Sequence, residues 1–219
     1  GSRFVRIDKT ECQSMKGNGV EFSSRHWKFL RSFNKPKNVK TIIATSFILL
    51  FISLFNFISE YAVNTLYWDQ WDYVNGLINN KSLIDLFYWQ VGPHRMGPGF
   101  WLIKLLYSVT DWNLAAESYL IGTLLLLSSL LALNIKYKVI GRWHWSDVLI
   151  PYFFTRTALW ETVIGTTNPS HGSLSILLFL IMIRFFLVDQ PKRRMIGLLV
   201  FNFLSIFTGF SLFVGPGIC

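Results

Sequence analysis

The sequence predicts an all-α fold: a polytopic transmembrane helical bundle of about five spans, with amphipathic interfacial helices in the first outer loop. Hydrophobic residues make up 52% of the 219 residues and charged residues only 15%, which leaves too little polar surface to cover a soluble domain of this size. Long apolar runs recur along the chain, and the basic residues stand at their ends. Together these observations indicate a multi-pass membrane protein whose main partner is the lipid bilayer.

Residues 1–40 form a basic tail that carries most of the net charge of +9. The tail contains ten lysine and arginine residues and three acidic residues, an excess of seven positive charges. Such a segment favours the cytoplasmic side of a membrane and attracts anionic lipid headgroups. A nucleic-acid partner is not expected, because no nucleic-acid-binding motif accompanies the charge.

The first two predicted spans are residues 41–58 and 114–135. The first contains 18 residues without a charge, and at about 1.5 Å per residue it nearly crosses a hydrocarbon core of about 30 Å. The second is followed by Lys136, Lys138 and Arg142, a basic loop typical of the cytoplasmic side. The chain is therefore expected to leave the cytoplasm in the first span and to return in the second.

Three further spans are predicted at residues 148–165, 172–188 and 195–217. The first of these has a weak hydropathy signal, because it contains Pro151, Arg156 and Glu161. It is still required, since the basic loops on both sides of it must face the cytoplasm. We therefore expect a multi-pass protein of the cell membrane, in the simplest case a bacterial inner membrane, with a cytoplasmic amino terminus. We also expect a longer protein, because the chain stops directly after an apolar run.

The first outer loop, residues 59–112, is rich in aromatic and amphipathic segments. It contains five tryptophan residues, a residue type that is enriched at membrane interfaces. Residues 100–109 are apolar apart from Lys104 and are too few to span a bilayer. We expect this stretch to re-enter the membrane or to lie flat on its surface.

Two aspartates stand in this loop in the sequence WDQWD. Asp69 and Asp72 are three residues apart, so on a helix they share a face. Neighbouring carboxylates at a water–lipid boundary are suited to act as a general base or to bind a metal ion, and we predict that they are catalytic. In the alternative interpretation, Asp69 caps a helix that begins near Gln70 and Asp72 faces water.

His94 and Arg95 stand on a turn between two segments rich in glycine and proline. Arginine can hold a phosphate through a bidentate fork and histidine can donate or carry a proton, so this pair is predicted to bind substrate. The alternative is a pair that reaches to the lipid headgroups and binds no substrate. A divalent metal ion held by Asp69, Asp72 and His94, with or without His171, has acceptable ligand types, but the spacing is not diagnostic.

A polar turn after the third predicted span is expected to reach the same pocket. Glu161 lies near the outer end of that span, and Asn168 and His171 follow it; all three are predicted to contribute to substrate binding. A charge within the membrane is costly unless it is paired. Arg156 and Glu161 are about 140° apart on a helix and do not pair with each other simply. A structural ion pair with another span is the alternative for each.

The order of these features resembles the amino-terminal half of the GT-C class of membrane glycosyltransferases. The shared features, over roughly residues 40–219, are the basic tail, the first span, the WDQWD segment, amphipathic pieces, the HR pair and further spans with short loops. Members of that class have more spans than this chain, and in some of them the carboxylates are adjacent.

The resemblance implies an enzyme that moves a sugar from a polyprenyl-phosphate carrier to an acceptor on the non-cytoplasmic face of the membrane. It implies that Asp69 or Asp72 acts as the base on the acceptor hydroxyl or helps to bind a metal ion. It further implies that His94 and Arg95 bind the phosphate of the carrier.

Two other functions fit the same sequence. A polytopic transporter or lipid flippase would use Arg156, Glu161 and Arg184 to line a translocation path. A non-enzymatic membrane scaffold would use the aromatic loop to dock a partner, and alanine at both aspartates would leave its function intact. The oligomeric state is not indicated by any of these patterns.

Overall fold

A computed structural model describes residues 36–67, 70–79, 81–91, 94–165 and 168–209 of the chain. The predicted basic tail therefore lies outside the described residues except for its last five positions. The end of the last predicted span, residues 210–217, lies outside them as well.

The described residues form eight α-helices and one short β-hairpin. The helices are α1 (Pro36–Tyr61), α2 (Gln70–Ile78), α3 (Leu83–Phe87), α4 (Gly97–Thr110), α5 (Ala115–Ile140), α6 (Leu149–Thr155), α7 (Ser173–Phe186) and α8 (Pro191–Ile206). The hairpin pairs β1 (Gln90–Val91) with β2 (His94–Arg95) in an antiparallel register in which Gln90 opposes Arg95. The predominantly helical fold class is confirmed.

Two of the helices, α1 and α5, are long and apolar enough to cross a membrane, judged by length and composition. In an apolar stretch of 18 residues in each helix, only 17% is buried in α1, compared with 50% in α5. On α1 the side chains of Ile48, Leu49 and Ile52 are between 46% and 61% exposed. A soluble protein rarely exposes a continuous apolar strip of this kind, so the composition of α1 favours a lipid environment.

The two long helices pack antiparallel to each other. Val39 and Ile43, near the start of α1, share a buried cluster with Leu133, near the end of α5. Leu54 and Ile58, near the end of α1, share another cluster with residues in the first half of α5. Gly122 allows the close approach, since a Cβ at this position would lie 2.8 Å from the Ile58 Cδ1 atom.

The last two helices complete the alternation of direction. Leu174 of α7 packs with Leu124 of α5, and the Arg184 Nε donates to the Asn134 Oδ1 at 3.2 Å, so α7 runs parallel to α5. The α8 helix returns antiparallel to α7, because Gly197 lies against the Phe185 ring while Ser205, further along α8, contacts Met182, which is earlier in α7. Neither of these two helices has the length of a full membrane span: α7 has 14 residues and α8 has 16.

The segment predicted as the third span is not one continuous helix. It consists of a 3-10 turn (Trp145–Val148), α6, a second 3-10 turn (Thr157–Leu159) and a π-helical turn (Glu161–Gly165). The break falls at Arg156, whose backbone is extended with φ −64° and ψ 140°. Breaks and π-turns of this kind free backbone groups and re-aim side chains, and they are frequent at functional sites.

Basic residues at the start of α1, the end of α5 and the start of α8 share one end of this bundle, which we call the basic end, whereas Lys81, Arg95 and Lys104 lie in the segment between α2 and the end of α4. Lys40 lies near the start of α1, Lys136 and Lys138 lie near the end of α5, and Lys192 lies at the start of α8. The opposite end, formed by the end of α1 and the start of α5, is called the pocket end. A bundle of five full spans is not confirmed, because two of the five predicted segments have the length of a span and the third is broken.

The loop that follows α1 folds into its own layer. One face of α4, with Phe100, Ile103 and Tyr107, is fully or almost fully buried against Val74 and Leu77 of α2. The α4 helix includes residues 100–109, which were predicted to re-enter the membrane or to lie flat on its surface. It packs against protein along this face. The α2–α4 layer lies at the pocket end, where Asn64 after α1 accepts a hydrogen bond from the Leu114 backbone N–H at 2.7 Å.

Candidate functional site

An open pocket of about 260 Å³ lies at the pocket end, between the start of α2, the first turns of α5 and the π-helical turn. Three of its polar lining residues are Gln70, Ser118 and Glu161, and its apolar wall includes Trp160 and Ile164. A concave site with a few convergent polar groups is the usual form of a ligand site. We therefore take this pocket as the centre of the candidate site.

Hydrogen bonds fix one wall of the pocket through Gln70. Its Oε1 accepts from the Tyr67 backbone N–H at 2.8 Å, and its Nε2 donates to the Glu117 Oε2 at 2.9 Å. Glu117 is fully buried in the first turn of α5, and its Oε1 accepts from the Tyr107 hydroxyl of α4. Three helices therefore meet at one carboxylate directly behind the pocket wall.

The opposite wall comes from the broken segment. Glu161 begins the π-helical turn and is exposed at the pocket, and Trp160 beside it is 56% exposed. Val163, in the same turn, is buried against α1 and α5 and anchors this wall. Glu161 thus lines a pocket beside the broken segment, and its role in substrate binding stays a prediction.

Of the two predicted catalytic aspartates, only Asp72 lies within the described residues. Asp69 lies outside the described residues, although Tyr67 and Gln70 on either side of it line the pocket. Asp72 is exposed in the first turn of α2 and is not part of the pocket lining. Its backbone carbonyl accepts from the Trp89 indole at 3.2 Å, which ties α2 to the segment after α3.

The predicted phosphate-binding pair lies on the second strand of the hairpin. The side chain of His94 is outside the described part of the chain. Arg95 is exposed; its Nη1 donates to the Tyr88 carbonyl at 2.6 Å, and its guanidinium lies 5.8 Å from the centre of the Tyr88 ring. A guanidinium has five N–H donors, so this contact orients the group without consuming its capacity to bind an anion.

The polar turn that contains Asn168 and His171 packs beside this hairpin. The buried Asn168 side chain contacts the Met96 sulfur at 3.5 Å, and the Ser170 hydroxyl donates to the Met96 carbonyl at 2.5 Å. His171 is exposed, and its backbone N–H donates to the Asn168 carbonyl at 3.2 Å. Asn168 is thus a structural residue of the turn, with its side-chain oxygen accepting from the Ser170 N–H.

The predicted residues therefore fall into two groups. Glu161 belongs to the pocket, whose wall is anchored on α4 through Tyr107. Asn168 belongs to the hairpin group, which meets the chain at Met96, just before α4. The two anchor points are eleven residues apart in the sequence, which is about 16 Å along a helix axis.

The predicted divalent metal site lies only partly within the described residues. Among them, no three histidine, cysteine, aspartate or glutamate side chains come together as ligands. Asp69 and the side chain of His94, two members of the predicted ligand set, lie outside that part of the chain.

Sequence reasoning missed the residues that build the pocket wall, namely Gln70, Tyr107, Glu117 and Trp160. A signal for Glu117 was present, because an ionisable residue in the first turn of an apolar span is costly and usually has a partner. The partner itself was not predictable, since Gln70 is 47 residues away in the sequence.

Comparisons with known proteins add no assignment to this geometry. No protein-family model matches the chain, and neither the curated proteins nor the solved structures include a significant match to it.

Proposed function

We propose that this chain is the amino-terminal portion of a polytopic membrane glycosyltransferase of the GT-C type. In this proposal the enzyme takes a sugar from a polyprenyl-phosphate carrier and transfers it to an acceptor on the non-cytoplasmic face of a cell membrane. The donor is thus a lipid-linked sugar phosphate, and the reaction takes place at the membrane surface.

The observation that carries this proposal is the pocket at the end of the bundle opposite to the basic end. Gln70 in its wall directly follows Asp69 in the sequence, and Glu161 lies on the facing wall. A concave polar site beside acidic residues, at the end opposite to the basic loop after α5, is what transfer on the outer face requires.

The proposed chemistry is a single displacement. Asp69 or Asp72 accepts the proton of the acceptor hydroxyl, and the acceptor oxygen then bonds to the anomeric carbon of the sugar. The bond between that carbon and the carrier phosphate breaks, and the phosphate oxygen leaves with the electron pair. Hydrogen bonds from Arg95 and His94 stabilise the charge on the leaving phosphate.

The pocket and the hairpin contact different parts of the substrate in this scheme. Glu161 contacts the acceptor or the sugar from the pocket, whereas Arg95 contacts the carrier from the hairpin. The turn with Asn168 and His171 connects the two groups.

Removal of the base is the direct test. We would measure sugar transfer from a polyprenyl-phosphate donor in liposomes with the full-length protein, comparing Asp69→Asn and Asp72→Asn with the wild type. We expect the variant that lacks the base to lose about 10²- to 10⁴-fold in kcat, the usual contribution of a general base. The other variant should keep most of its activity.

The matched control is Glu60→Gln, which changes an exposed carboxylate near the end of α1. Glu60 lies at the pocket end but is not in the pocket lining. The activity of the Glu60→Gln variant should therefore equal that of the wild type. Full activity in both aspartate variants would falsify the catalytic assignment.

The proposed topology has five crossings, with the amino terminus in the cytoplasm. It is supported by the alternating directions of the segments and by exposed tryptophans at both ends, including Trp71 and Trp112 at the pocket end and Trp145 at the basic end. In sealed right-side-out vesicles, a cysteine in place of Thr65 should react with a membrane-impermeant thiol reagent. A cysteine in place of Lys138 should react only after the vesicles are opened, and the reverse pattern would overturn the orientation.

A lipid flippase or transporter is the second candidate, favoured by the broken segment between α6 and the π-helical turn. Broken helices form binding sites in many transporters, and Arg156 stands at the break. In the same liposomes, movement of the lipid-linked sugar across the bilayer without any transfer product would support this function and count against the transferase.

A further inference from the structure

A buried carboxylate behind the pocket wall has no role in the proposed reaction. Glu117 is fully buried, and its carboxylate accepts hydrogen bonds from the Gln70 amide and the Tyr107 hydroxyl. Taking a carboxylate out of water is costly unless donors replace the lost hydration. One of the donors that do so, Gln70, itself lines the pocket, so the buried group is one contact away from a bound ligand.

Gln70 is held at both ends of its side-chain amide. The Oε1 atom accepts from the Tyr67 N–H, while the Gln70 backbone N–H donates to the Tyr67 carbonyl at 3.1 Å. Tyr67 and Gln70 are therefore joined by two hydrogen bonds of opposite direction just before α2. Because an amide oxygen only accepts and an amide nitrogen only donates, the bond to Glu117 and the bond to Tyr67 fix one orientation of the group.

The partners of Glu117 belong to different helices. Gln70 is the first residue of α2, Tyr107 lies in α4 and Glu117 lies in α5. Both of these hydrogen bonds end on the same carboxyl group. The carboxylate therefore ties the start of α2 to the two helices behind it.

We infer that Glu117 is a positioning residue of the candidate site: through Gln70, it holds the start of α2 in the orientation that forms the pocket wall. The inference rests on the proposed function only for its activity readout. Glu117 does not touch the substrate, and its effect on catalysis passes through Gln70. Tyr107 supports it by orienting the other carboxylate oxygen.

A double-mutant cycle tests this route in the full-length protein in liposomes. Glu117→Leu and Gln70→Leu should each lower kcat by about 10²-fold, the cost expected of a small misplacement. The double variant should lose no more than either single variant, because residues that act through one contact are not additive. Rates are normalised to the folded protein recovered by size-exclusion chromatography.

The conservative variant Glu117→Gln separates positioning from direct chemistry. Its amide oxygen can still accept from Gln70, and its amide N–H can donate to the Tyr107 oxygen. It should therefore keep most of the activity. Losses that multiply in the double variant, or a Glu117→Gln loss as large as that of Glu117→Leu, would overturn the inference.

A second readout does not depend on sugar transfer. If the wild type transfers no sugar, the proposed function fails, and positioning is measured by the labelling rate of a cysteine in place of Thr65, which lines the same pocket. Cys12 and Cys219 are replaced by serine in this background. Glu117→Leu should change the labelling rate severalfold and Glu117→Gln should not; equal rates in all three proteins would overturn the inference.

Discussion

The two ends of α5 each bury a carboxylate near the helix, but they hold it in different ways. At the basic end, Asp147 accepts from the Lys136 ammonium at 2.5 Å and from the His144 backbone N–H at 2.8 Å. At the pocket end, the donors to Glu117 include the neutral side chains of Gln70 and Tyr107.

The difference between these ends lies in what the donors are attached to. The Lys136 side chain also donates to the Arg142 carbonyl at 2.6 Å, so the ion pair closes the tight connection between α5 and the following 3-10 turn. The Gln70 donor is instead part of a pocket wall. The comparison teaches that the same buried group can fasten a connection or orient a site, depending on the element that supplies the donor.

The largest expected effect comes from breaking the ion pair at the basic end. Lys136→Met leaves Asp147 buried without its cation, and loss of one partner of a buried pair costs about 3 kcal/mol of unfolding free energy. We would measure it by unfolding of the purified protein in mixed detergent micelles. The labelling rate of the Thr65 cysteine should stay unchanged, because the pocket wall is anchored at the other end.

The control for this substitution is Lys138→Met on the same turn of α5. Lys138 is exposed, so its loss should change the free energy of unfolding by less than about 0.5 kcal/mol. If both lysine variants were equally stable, the Lys136 pair would count as a surface contact and the contrast between the two ends would disappear.

A smaller effect is expected where the polar turn meets the start of α4. A Cβ added at Gly99 would overlap the Ser170 hydroxyl oxygen and lie 3.2 Å from the Ser170 backbone nitrogen. We expect Gly99→Ala to cost about 2 kcal/mol, in the range for an overpacked contact. The double variant with Ser170→Ala should recover part of this loss, which a thermal unfolding series in detergent would detect.

The matched glycine at the basic end is Gly141, the left-handed residue that ends α5 with φ +72°. A Cβ at this position meets nothing within 4 Å, so Gly141→Ala has only the backbone cost of about 1 kcal/mol. No recovery partner exists for it in the described part of the chain. Equal losses at Gly99 and Gly141 would contradict the packing argument at the polar turn.

Much of the scaffold was predictable from local pattern. Most of the apolar runs at 41–58 and 114–135 lies within α1 and α5, and the basic residues that flank the long helices share one end of the bundle. The predicted bounds were short for α5, which continues through Lys136 and Lys138 to Ile140. Lysines at a helix end can keep their ammonium groups in water while the helix continues, so the first charged residue did not mark the end of the helix.

The sequence predicted some residues of the candidate site but not the contacts between them. The sequence indicated an acidic segment before α2 and a polar turn after Glu161, and the pocket has Gln70 and Glu161 on its walls. The sequence did not indicate that the Asn168 side chain would bond within its own turn, or that Arg95 would be oriented by the Tyr88 carbonyl. Those contacts depend on how the hairpin lies against neighbouring segments.

The sequence by itself determined the helical class, the two long apolar helices and the alternation of basic and aromatic segments, because length, hydropathy and charge act locally along the chain. The tertiary structure alone decided that the third apolar segment breaks at Arg156 and that Glu117, Gln70 and Tyr107 meet behind a pocket. The physical reason is that a buried hydrogen bond joins residues from facing helices, and which faces oppose each other is set by packing of the whole bundle.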